Sequence, residues 1–240
     1  MIMKKFLILI ALITSLAPAI ARAQGNHEYE PLEEKTINYK DWTFNSLKEN
    51  KPVNLRSFAQ GKKLVLVVYF APWCPNWRNE SPDVAELYEK YKAQGLDVIA
   101  VSEYGSRADA LAYFGAGGPT YTVVSESESR DDREKTSHYT YRQASGDLRK
   151  WGSPYNIFLE PAKLNKTGDV LTEKAWIVNG ELVRADVEKF IRERLGLNKA
   201  EASKPLVLKV ETNKDKLLQA TKSSDSTQCS PATSTSSKKQ

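Results

Sequence analysis

Cysteine, histidine and methionine are all scarce, at two residues each in 240. Two cysteines exclude a small scaffold held together by several disulfides. The two histidines, His27 and His138, have no cysteine, histidine or carboxylate at a metal-ligand spacing, so no metal centre is expected and both are read as exposed. No cofactor loop is evident either: Gly115–Gly118 lacks the Lys-Ser/Thr of a phosphate loop and follows a helical pattern instead of a strand. No apolar run is long enough for a comfortable membrane span, since the longest, Phe6–Ile20, has fifteen residues.

A basic excess on the folded part is also lacking. The net charge is +5, but residues 1–23 carry +3 and residues 198–240 carry +4, which leaves −2 on residues 24–197. The body therefore offers no footprint for nucleic acid. Residues 1–23, with Lys4 and Lys5, the apolar run and Ala21-Arg22-Ala23, have the three regions of a secretory signal, and cleavage after Ala23 is expected. The chain is thus read as exported, secreted or periplasmic, with no stable membrane span after cleavage. Residues 24–39 read as a linker. Residues 198–240 read as a low-complexity, disordered tail, since 221–240 hold eleven Ser/Thr and no aromatic or large aliphatic residue.

What is present between them is a βα alternation. Leu64–Phe70 is an uninterrupted β-branched and aromatic run, the pattern of a strand buried on both faces. Val84, Leu87, Tyr88 and Tyr91 then mark a helix closed by Gly95. A strand at Asp97–Ser102, a helix at Arg107–Phe114, a strand at Tyr121–Val124 and a charged, mostly exposed helix at Asp131–Gln143 follow. An antiparallel pair, Asn156–Leu159 and Trp176–Val178, and a helix at Ala185–Leu195 complete the body, and Trp42–Leu47 with Val53–Leu55 suggests an N-terminal hairpin. Together these predict a layered α/β domain around a mixed sheet.

The chemistry-bearing residues follow the buried strand: Phe70-Ala71-Pro72-Trp73-Cys74-Pro75-Asn76-Trp77, with Glu80 and Pro82 beyond. A cysteine where a strand hands over to a helix meets the N–H groups and dipole of the helix N-terminus, which favour a thiolate nucleophile. With Gly61-Lys62-Lys63 before the strand and Gly152-Ser153-Pro154 before the next one, residues 40–197 resemble the TlpA/ResA-like thiol-disulfide oxidoreductases, or redoxins, of thioredoxin fold.

That resemblance implies a three-layer thioredoxin-like fold with a central mixed sheet flanked by helices, an N-terminal hairpin, and a strand and helix inserted before a cis-proline loop. It implies Cys74 as attacking thiolate and Glu80 as an acid exchanging protons near the thiol. It also implies Trp73, Pro75, Trp77, Ser153 and Pro154 as substrate-binding positions, with Pro154 as the cis-proline. The partners implied are protein or small-molecule thiols and disulfides, with a membrane-bound electron donor among them. The departure is at position 77, where the family carries its second cysteine and this chain has Trp77, which must either rebuild the pocket floor or turn outward as a binding surface. Cys229 lies 34 residues beyond Leu195, and a flexible segment of that length spans on the order of 30 Å, so it is a candidate resolving thiol. The expected activity is monothiol exchange through Cys74. A redox-inactive binding module on the same fold and a redoxin-type peroxidase are the alternatives, and the peroxidase is weakened by Ala71 where a T-x-x-C motif would place threonine.

Overall fold

A computed structural model describes residues 27–198. The signal-like stretch 1–23, nearly all of the tail and Cys229 lie outside the described residues. In chain order, the strands are β1 (Tyr29–Glu30), β2 (Glu33–Lys40), β3 (Thr43–Ser46), β4 (Pro52–Asn54), β5 (Leu64–Phe70), β6 (Leu96–Ser102), β7 (Thr122–Ser125), β8 (Tyr155–Leu159), β9 (Val170–Val178) and β10 (Glu181–Leu182). The helices are α1 (Leu55–Ala59), α2 (Pro75–Tyr91), α3 (Arg107–Phe114), α4 (Ser137–Ser145) and α5 (Arg184–Arg194).

Eight strands form one sheet in the order β2-β9-β8-β5-β6-β7-β3-β4. β5 lies within it, parallel to β6 and antiparallel to β8, and every residue of β5 is buried. Because side chains alternate along a strand, β5 feeds two cores. Leu64, Leu66, Val68 and Phe70 pack with Trp77, Val84 and Leu87 of α2 and Val187, Phe190 and Ile191 of α5. Val65, Val67 and Tyr69 face the opposite side, with Leu55 and Ala59 of α1 and Tyr141 of α4. The result is the three-layer, thioredoxin-like arrangement, with the N-terminal hairpin β3–β4 paired antiparallel and β7 and α4 inserted before the loop that leads into β8.

Two stretches differ from expectation. Glu33–Lys40, all but its last residue within the span 24–39 read as a linker, is a strand paired antiparallel with β9. Its inward residues are Ile37 and Tyr39, and charged residues on the exposed face mask that alternation. The helix expected at Asp131–Gln143 is instead a 3-10 turn over Arg130–Lys135 and then α4, separated by Thr136, whose side chain caps α4 by accepting from the Tyr139 amide at 3.1 Å. Nor is α4 mostly exposed, for His138, Tyr141, Arg142 and Ser145 are buried.

Candidate functional site

β5 delivers the chain to a tight turn in which the Cys74 amide donates to the Ala71 carbonyl at 3.0 Å. Cys74 is the N-cap residue of α2, and Pro75 fills the first helical position, where its missing N–H would have had no intrahelical partner. Cys74 is 7% exposed, and its Sγ donates to the Ser153 carbonyl at 3.1 Å. The Ser153–Pro154 peptide bond is cis. Ser153 Oγ accepts from the Ala71 amide at 2.8 Å. Cys74, Ser153 and Pro154 thus meet at one end of the sheet, the two loops joined by two hydrogen bonds between side chain and backbone.

The proline loop is held from behind by a buried charge network. Arg142, fully buried, donates from Nε to Asp147 at 3.1 Å, and Arg149 donates to Asp147 at 2.8 Å and to the Pro154 carbonyl at 2.9 Å. The two guanidinium groups hold the Asp147 carboxyl below its usual range against the opposing effect of burial. Gly152 has φ +55°, and a Cβ there would lie 1.7 Å from Arg142 Nε, so only glycine fits against this arginine.

His138 ties the same loop to the other side of the site. Its ring is buried, which together with Arg142 keeps it neutral, its pKa well below the ordinary value. The Gly152 carbonyl can only accept, so Nε2 carries the proton and donates to it at 3.1 Å. Nδ1 then accepts from the Tyr104 hydroxyl at 2.9 Å. The Tyr104 carbonyl in turn accepts from Trp73 Nε1 at 2.9 Å. His138 is therefore a buried bridge between the loop beside Cys74 and the residue that anchors Trp73, and the expectation of an exposed histidine was wrong for it. His27 is exposed, as expected, and lies against Glu181 at 3.3 Å.

Trp73 is half-buried and meets Trp151 edge to face at 5.3 Å. Trp77 points the other way. It is fully buried and stacked on Phe70 at 4.6 Å, so it belongs to the core and cannot form a binding surface. Glu80, one turn further on the same helix face, is 3% exposed; it accepts from the Leu182 amide at 2.6 Å and from Asn156 Nδ2 at 3.1 Å. Burial raises its pKa from 4.5 to about 8, so it holds a proton at neutral pH. No hydrogen bond joins it to Cys74; it links α2 to β8 and β10.

A cleft of about 710 Å³ opens over the thiol, lined by Trp73, Cys74, Pro75, Gly152 and Ser153 among others. Its remaining lining includes Arg78, Arg149, Lys150 and Trp151, none of which was singled out from the sequence. The signal was available, since Arg149-Lys150-Trp151 directly precede Gly152-Ser153-Pro154. Among the described residues no cluster of histidine, cysteine and carboxylates could hold a metal ion. Nor is any helix among them long and apolar enough to cross a membrane.

Residues 38–146 match the AhpC/TSA family. That segment runs from β2 to the end of α4 and contains Cys74. A 117-residue stretch is 26% identical to a protein disulfide-isomerase of Oryctolagus cuniculus, covering 46% of this chain and 22% of that relative's length. Among solved structures, the chain is similar to a thioredoxin-family thiol:disulfide interchange protein of Chlorobium tepidum, with 19% identity and a TM-score of 0.47 over 68% of this chain and 98% of that one. It is also similar to the thioredoxin domain of a thiol-disulfide oxidoreductase from Bacteroides vulgatus, with 22% identity and a TM-score of 0.46 over 67% and 99% of the two chains.

Proposed function

We propose that this chain works in thiol–disulfide exchange outside the cytoplasm, with Cys74 as its single nucleophile. The observation that carries the reading is the position of the Cys74 sulfur, at the N-terminus of α2 and 3.1 Å from the Ser153 carbonyl, at the base of an open cleft. The thiolate attacks one sulfur of a substrate disulfide, forming a mixed disulfide with Cys74 and releasing the other sulfur as a thiolate. A second thiol then attacks the mixed disulfide and regenerates Cys74. Trp77 cannot supply that thiol. Cys229, another protein or a small thiol must do so, and export by residues 1–23 supports a compartment where disulfides persist.

Trp73, Pro75, Ser153 and Pro154 are assigned to substrate positioning. Glu80 is assigned a supporting role, holding Asn156 and Leu182, in place of direct proton exchange with the thiol. The buried indole of Trp77 favours one other reading, a binding module that traps partners at the proline loop without turning over. Insulin reduction by the full chain separates the two. Turnover that Cys74→Ser abolishes supports exchange. A stable Cys74 mixed disulfide with no turnover, and turnover gained on Trp77→Cys, would overturn it in favour of trapping.

A further inference from the structure

The cleft beside Cys74 carries a charge that the rest of the body does not. Residues 24–197 sum to −2, yet Arg78, Arg149 and Lys150 line the cleft against Glu28 alone among the acids. Arg149 is balanced, since it pairs with both Glu28 and Asp147. Among the described residues Arg78 and Lys150 meet no carboxylate. Arg78 lies 5.6 Å from the Tyr113 ring and Lys150 5.3 Å from the Trp151 ring. A third cation, Arg130, stacks 4.0 Å over Trp73, also with no carboxylate partner among the described residues. Of the nearby acids, Asp132 pairs with Lys135 and Glu134 with Arg133, while the exposed Glu128 and Asp131 that flank Arg130 in sequence form no ion pair with it. Aromatic faces hold these cations in place without neutralising them.

Resting on Cys74 as nucleophile, we infer that the cleft selects a low-molecular-weight thiol or disulfide bearing carboxylates, which serves as the second sulfur for turnover. Size argues for a small molecule over a folded protein, because Cys74 is only 7% exposed and the cleft, at about 710 Å³, is of small-ligand volume. The chemistry balances without an added oxidant. Cys74 thiolate attacks the small disulfide, forming one S–S bond and breaking one, and a small thiolate leaves. In the reverse step a small thiolate attacks the mixed disulfide, and Cys74 departs with the electron pair. The carboxylates pair with Arg78 and Lys150 in both directions.

The test uses the full chain and three symmetrical disulfides: oxidised glutathione (anionic), bis(2-hydroxyethyl) disulfide (neutral) and cystamine (cationic). Adduct formation at Cys74 is followed by intact mass and peptide mapping at low salt, each rate divided by that of the same disulfide with a free cysteine peptide. Electrostatic focusing of this kind changes encounter rates by about tenfold or more. The expected order is glutathione above neutral above cystamine, with about tenfold between the extremes. Added salt compresses the order, and Arg78→Glu with Lys150→Glu inverts it. Lys189→Glu, the same change of charge outside the cleft lining, leaves it unchanged. Equal normalised rates for all three disulfides would overturn the inference while leaving Cys74 a nucleophile. No adduct with any of them would overturn both.

Discussion

Glu80→Gln should flatten the dependence of stability on pH, because Glu80 is a carboxyl that folds protonated. Its pKa rises from 4.5 to about 8, chiefly through burial, so across that window the folded chain holds a proton which the unfolded chain has released. Stability from this group is therefore full below the unfolded value and falls as pH rises toward the folded one, at up to about 1.4 kcal/mol per pH unit. Between about pH 5 and about pH 7.5 the loss is on the order of 3 kcal/mol, a large share of a typical domain's stability. The amide cannot ionise. It can still accept from the Leu182 amide, but it presents an NH₂ toward Asn156 Nδ2, which costs about 1 kcal/mol at the acid end. Glu103, also buried and raised, and His138, buried and lowered, titrate in both proteins and cancel in the difference. Urea unfolding at the two pH values gives the comparison. The variant should be slightly the less stable at pH 5 and the more stable at pH 7.5. Parallel profiles would refute the assignment of a buried, protonated Glu80.

Gly152→Ala drives a methyl group into Arg142 and should lower stability by about 2 kcal/mol or more, whereas Gly196→Ala, at φ +75° with open space around it, should cost about 1 kcal/mol; thermal melts of the two compare them directly. His138→Phe leaves the Gly152 carbonyl and the Tyr104 hydroxyl without their buried partner and should cost about 1–3 kcal/mol near pH 7. In the parent, the unfolded state takes up a proton on His138 as pH falls below 6.5 while the folded state does not, so stability drops there, and the variant's curve should lack that drop. Trp77→Cys removes an indole stacked on Phe70 and should cost about 3–5 kcal/mol, seen as a lower urea midpoint; an unchanged midpoint would contradict a core position for Trp77.

β5, α2 and α5 were legible because their buried faces are largely apolar, so periodicity finds them. β2 and α4 were not. The inward face of β2 is marked only by Ile37 and Tyr39 among polar and charged neighbours, and that of α4 includes His138, Arg142 and Ser145, polar residues that become buried by bonding the Gly152 carbonyl, Asp147 and Asn179 respectively. No hydrophobic pattern reports such pairing. The Trp77 orientation was recoverable, since counting back from Tyr91, Leu87 and Val84 in steps of four and three lands on Glu80 and Trp77, which puts both on the buried face of α2. The juxtaposition of Cys74 with Ser153 was implied by the family resemblance, because residues 79 apart meet only through the order of β5 and β8 in the sheet. The cationic rim was hidden by the acidic total of the body, which says nothing about where individual charges gather.

The most direct test of Cys74 as a nucleophile compares its rate of reaction with a small disulfide at pH 7 in the folded chain and in the same chain unfolded in urea, with adducts mapped to Cys74. An inert buried thiol reacts faster once unfolding exposes it. A thiol activated by its place at the start of α2 reacts faster folded, although it is only 7% exposed there, and that is the predicted result. A higher rate in the unfolded chain would contradict it.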